Sequence, residues 1–149
     1  MFNKLCFILF FSVSSIYVKA QSMQDMDSLQ LKNINDSCGS IIFTRTEIMP
    51  DFKNGKQAFE DSLSNYLGEK NKKIRSGTIE FELVICKNGD VVACNRLRGG
   101  TAYEEVLFGW LINSKNLFMP ATQNKYVVCC WQNLTLNFSG DKINAFIIH

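Results

Sequence analysis

At 149 residues, with 46% apolar and 20% charged side chains, the chain is long enough to form one domain around its own core. Its formal charge of +2 comes from Lys4 and Lys19; the first 20 residues hold no acid, and without them 14 basic side chains face 14 acidic ones. That balance excludes an electrostatic nucleic-acid binder, which needs a basic face.

Met1–Ala20 has a basic start and an apolar run from Leu5 to Val13, with Val18 and Ala20 at the −3 and −1 positions. This predicts a secretory signal peptide cut between Ala20 and Gln21, and so an exported chain. The apolar stretch is short against the roughly 20 residues of a membrane span; left uncut, it would be an anchor. Residues 21–40 are polar with weak periodicity and read as a flexible lead-in. Ile41–Ile48 (IIFTRTEI) is β-branched and reads as a short strand or strap, ended by Pro50.

A helix is expected over Lys56–Leu67, where Phe59, Leu63, Tyr66 and Leu67 form one stripe. The densest basic run, Lys70–Arg75, lies beside Glu69 without interleaved aromatics and reads as a solvated loop. Two strands follow within Thr78–Gly100: Ile79, Phe81, Leu83 and Ile85 alternate with Glu80, Glu82 and Val84, and Asn88-Gly89 signals the turn. Thr101 and Glu104 have capping-box spacing ahead of a second helix carrying Val106, Leu107, Trp110 and Leu111. Leu117–Pro120 is an apolar crossover, and Tyr126–Phe138 is the last expected strand. Gly140–His149 is a tail whose apolar end, Ala145–Ile148, has no assigned place.

These elements predict an α+β fold: a small antiparallel sheet of about three strands plus the strap strand, with two helices on one face. The domain should span 41–139. With a right-handed crossover the last strand lies beside the first and keeps an open edge.

Removing the leader leaves five cysteines: Cys38, Cys86, Cys94, Cys129 and Cys130. Their spacings match no metal signature, and the one histidine is His149, so neither metal nor cofactor is expected. Two readings stand for the thiols. Either they are buried, small apolar side chains, or Cys86 and Cys129, which face each other where the first and last strands adjoin, form a disulfide. Cys94 takes either face, depending on the turn.

Several motifs together resemble TonB C-terminal domains of the Bacteroidota type, with their E-x-M-P-x-F-x-G-G entry. They are Glu47–Gly55 (EIMPDFKNG), then Ala58, then Tyr66 and Leu67; Lys87–Val91 (KNGDV) with Leu97, Arg98 and Gly99; the apolar segment closed by Pro120; and Leu134–Phe138 (LTLNF). The resemblance covers about Ile41–Phe138. Asn54 replaces the first glycine of the entry motif, Lys53 replaces the usual proline, and no tryptophan precedes the crossover proline.

The resemblance implies a TonB C-terminal-like fold and a non-enzymatic, periplasmic protein-interaction domain. Its partner would be an outer-membrane transporter or another envelope protein, held by strand addition at the last-strand edge. On this chain the edge is Tyr126–Leu134, with Tyr126, Val128, Cys129, Trp131 and Gln132 flanking the incoming segment. The alternative is that Gly140–His149, or a second copy in a homodimer, covers that edge. Arg96 and Arg98 either grip an acidic partner or form a solvated pair. Glu80 and Glu82 lack a nucleophile or metal beside them, so no enzyme is expected. Two other functions compete: a shortened, inner-membrane-anchored TonB-like energy transducer, and a small exported thiol or redox protein. The latter requires an exposed cysteine of low pKa.

Overall fold

The computed structural model describes residues 29–39, 41–70, 76–99, 104–140 and 142–148. The expected leader and the capping Thr101 lie outside these residues. Helix α1 runs over 29–38, and after it come β1 (Asp51–Phe52), α2 (Gly55–Glu69), β2 (Gly77–Ile85), β3 (Val91–Arg98) and α3 (Glu104–Asn113). The chain ends in β4 (Phe118–Met119), β5 (Ala121–Gln123), β6 (Tyr126–Val128), β7 (Cys130–Ser139) and β8 (Lys142–Ile148). Among the described residues no helix is long and apolar enough to cross a membrane.

The main sheet is antiparallel, in the order β3-β2-β7-β8. Strict alternation along β2 sends Ile79, Phe81, Leu83 and Ile85 to one face, where they are 5% exposed or less. Leu134, Leu136 and Phe138 of β7 join them, as does Ala145 of β8. Helix α2 lays Phe59, Leu63 and Leu67 on this face, and α3 adds Leu107, Trp110 and Leu111. The Phe59 and Trp110 rings meet edge to face at 5.2 Å, while Phe52 and Phe118 pack 5.7 Å apart beside them.

This architecture corrects the expected fold. Among the described residues the main sheet has four strands rather than about three, and three helices flank it rather than two. The three-strand, two-helix TonB C-terminal-like plan therefore does not describe this chain. The added helix comes from a polar segment, the added strand from the apolar end of the expected tail. Helix α1, from the expected lead-in, packs on the other face of the sheet: Ile34 and Cys38 sit against Val84, Ala93, Val92 and Trp131. A disulfide from Cys38 to Cys129, with Cα atoms 5.7 Å apart, fixes it there. Strand β8 comes from the tail. Gly140, at φ +61°, reverses the chain, and Ile143, Ala145 and Ile147 pair with Phe138, Leu136 and Leu134.

The expected last strand is also interrupted. Asn124 and Lys125 both have positive φ, the signature of a two-residue type I′ turn, so β6 folds back on β5 before β7 begins. The strap holds only two isolated bridges, Phe43 to Cys130 and Ile48 to Thr122.

The tip of the β2–β3 hairpin is anchored by Asp90. Its carboxylate accepts the Asn116 backbone N–H at 2.7 Å and the Asn88 side-chain amide at 2.9 Å, and Lys115 Nζ lies 3.3 Å away. Burial alone would raise its pKa, but the Asn116 bond, Lys115 and Asn88 outweigh it and hold the carboxyl below its ordinary value. A depressed folded pKa means that this stabilisation is present above the unfolded value, near pH 4, and is lost as pH falls through the lower folded value. Asp90→Asn should therefore cost about 1–3 kcal/mol at pH 7. Urea unfolding should show the gap between mutant and wild type closing toward pH 2. A gap unchanged by pH would assign the cost to packing instead.

Candidate interaction edge

An antiparallel sheet can take up another chain only where backbone N–H and C=O groups point outward without a partner. The expected docking edge along β7 is occupied. Phe43 donates to the Cys129 carbonyl at 2.9 Å and accepts from the Trp131 N–H at 2.8 Å. From Asn133 to Ser139 the edge is paired with β8.

The outer strands carry side-chain covers. On β8 the Ala145 N–H points outward and donates to Glu60 Oε1 at 2.7 Å. Lys56 lies 3.7 Å from the same carboxylate and 4.1 Å from the centroid of the Phe146 ring. On β3 the Cys94 N–H donates to Gln30 Oε1 of α1 at 3.1 Å.

Strand β6 is likewise an edge, paired with β5 alone, but among the described residues no side chain hydrogen-bonds to the outward backbone groups of its central residue, Val127. Thr122 of β5 exchanges both of its backbone bonds with Ile48, at 3.2 and 2.9 Å. The Thr122–Val127 pair is therefore a non-hydrogen-bonded one, and the Val127 N–H and C=O point away from β5. The hairpin is held to the strap by two further bonds: the Asn124 N–H donates to Glu47 Oε2 and the Glu47 N–H to Gln123 Oε1, both at 3.0 Å. Tyr126 is 75% exposed, and Ile48 and Val127 share one face of this small sheet at 63% and 43%.

The structure disperses the other predicted site residues. Val128 is half-buried on β6, pairing with Ala121. Cys129 is fully buried in the disulfide with Cys38. Trp131 is half-buried against the α1 cluster, lying neither exposed on an edge nor under the tail. Gln132 is buried on the core face; its Nε2 donates to the Ile148 carbonyl at 2.6 Å, while Oε1 has no partner among the described residues. Arg96 pairs with Glu104, and Arg98 lies 3.8 Å from Glu80. These arginines sit beside Phe81 and Glu80, at the opposite end of β2 from Ile85 and Cys130, so they do not join β6 in one site.

Chemistry-bearing groups are sparse. Among the described residues no group of three or more His, Cys, Asp or Glu side chains could hold a metal ion. A cavity of about 170 Å³ lies between the start of α2 and Asn116, but the Lys115 that lines it is directed to Asp90. Cys86, Cys94 and Cys130 are free and buried. Burial, with Glu104 adding to it, pushes the Cys94 thiol well up, and burial also raises Cys130 against an opposing hydrogen bond from Thr46. Neither has the low pKa that a redox thiol needs. Comparison with protein-family models, curated proteins and solved structures finds no match to the chain.

Proposed function

We propose that this chain is a non-enzymatic, exported protein-interaction domain that takes an extended segment of an envelope protein, such as an outer-membrane transporter, alongside β6. The observation that carries this reading is the outward Val127 N–H and C=O beside exposed Tyr126, on a hairpin fixed by Glu47. Main-chain bonds to such an edge supply affinity, and Tyr126 and Val127 supply apolar contact. The motifs of Glu47–Gly55 and Lys87–Val91 suggest the partner class. Export is supported by the signal-like first 20 residues and by a disulfide of the kind that persists in oxidising compartments.

A photoreactive benzoylphenylalanine at position 126, in the native cell envelope, should give an adduct with one envelope protein. Val127→Pro deletes the outward donor without touching the β5–β6 bonds. It should reduce that adduct by on the order of tenfold, the equivalent of one backbone hydrogen bond, with the unfolding midpoint unchanged. No adduct, or an adduct insensitive to Val127→Pro, would rule out strand addition here.

A further inference from the structure

Three sulfur-bearing side chains meet on the α1 face of the sheet. Cys38, Cys86 and Cys129 belong to one buried cluster with Val84 and Ala93. The last paired residues of β2 and β7 are Ile85 and Cys130, so Cys86 and Cys129 stand opposite each other one step further along the same register. Cys86 sends its N–H away from β7, to the Asp90 carbonyl at 2.9 Å, and Cys129 turns its carbonyl away from β2, to the Phe43 N–H. That makes them a non-hydrogen-bonded pair, the closer kind, with Cα atoms about 4.5 Å apart. Such a distance lies within the span of a disulfide, toward its short end.

The other free thiols are turned away. Cys94 lies opposite Leu83 and Cys130 opposite Ile85, on the face covered by α2 and α3. Of the three free thiols among the described residues, Cys86 alone faces the disulfide. Its Sγ–H rests on Asn88 Oδ1 at 2.6 Å.

We propose that Cys129 is a shared partner and that the chain exchanges one disulfide for another to release α1. The Cys86 thiolate attacks Cys129 Sγ, the Cys86–Cys129 bond forms, and the Cys38–Cys129 bond breaks. Cys38 leaves as a thiolate and takes up the proton that Cys86 gave away. One S–S bond replaces another, so no oxidant or reductant is consumed. The exchange frees the end of α1 from the sheet. Gln30 of that helix is the group that covers the Cys94 N–H, so release also uncovers the β3 edge. The switch thus frees the one β3 donor that α1 covers for pairing with another chain, independently of what binds β6.

The full oxidised chain is incubated without added thiol, quenched with acid, unfolded and alkylated with N-ethylmaleimide. Peptide mapping should then show Cys38 labelling rising with time and Cys86 labelling falling by the same amount. In Cys86→Ser, Cys38 should stay protected throughout. The proposal is overturned if wild-type Cys38 never becomes labelled, or if it is labelled equally in Cys86→Ser.

Discussion

Replacing Cys129 by alanine should lower the unfolding free energy by about 3–5 kcal/mol, the largest loss expected for any single change on the α1 face. The disulfide joins residues separated by 91 positions, so cutting it frees a long span of the unfolded chain. Cys129 is also the right position to change, because it belongs both to the disulfide with Cys38 and to the proposed one with Cys86. In urea the midpoint should fall by about 2 M, given the slope usual for a domain of this size. Reduction of the wild type should reproduce most of the fall, and reduction of Cys129→Ala should add nothing. If the reduced and oxidised wild type unfold at the same midpoint, the bond holds α1 without stabilising the domain. Amides of α1 should exchange faster in the mutant while those of β2 and β7 stay protected relative to global unfolding.

Gly89→Ala is the second large effect, and it acts through the hairpin tip. Gly89 has φ +84°, and a Cβ built there would stand 2.0 Å from the Phe118 carbonyl oxygen. The left-handed backbone costs an alanine about 1–2 kcal/mol, and pushing β4 away adds about 1–3 kcal/mol. A total of about 2–5 kcal/mol is expected by urea unfolding. The displaced tip would also lose the 3.2 Å bond from the Phe118 N–H to the Gly89 carbonyl and loosen the bond from Asn116 to Asp90. Gly140→Ala is the control: φ is +61°, but nothing lies within 4 Å of the added carbon, so only the backbone cost applies. Equal losses at the two positions would show that contact with Phe118 is not what makes Gly89 necessary.

The two changes divide the molecule into a part legible along the chain and a part that is not. The β2–β3 hairpin and helices α2 and α3 are local patterns: alternation of Ile79 to Ile85, the Asn88-Gly89 turn, and the stripes through Phe59 and Leu63 and through Leu107 and Trp110. Each of these segments carries in its own apolar periodicity the signature of the conformation that packing then stabilises. Strand β8 left a weaker trace. Gly140 followed by Asp141 is a hairpin signal, and Ile143, Ala145 and Ile147 alternate, so the strand could have been read where a tail was expected.

Helix α1 is a different case. Leu29 and Leu31 are exposed, and Ile34 and Cys38 are its only apolar contacts with the sheet cluster. Its sequence gives no reason to fold against the sheet without the bond to Cys129. The facing positions of Cys86 and Cys129 follow from strand pairing alone, but which cysteine bonds Cys129 depends on what is laid over that face. The same holds for the interaction edge. Residue periodicity makes Tyr126–Phe138 extended, but it cannot say which of its outward backbone groups find partners. Packing decided that: Phe43 and β8 cover the edge along β7, and the type I′ turn at Asn124 and Lys125 draws β6 out of line with it. Periodicity along a chain determines which side chains share a face; which backbone edges stay open is a sum over pairings made by residues far apart in sequence.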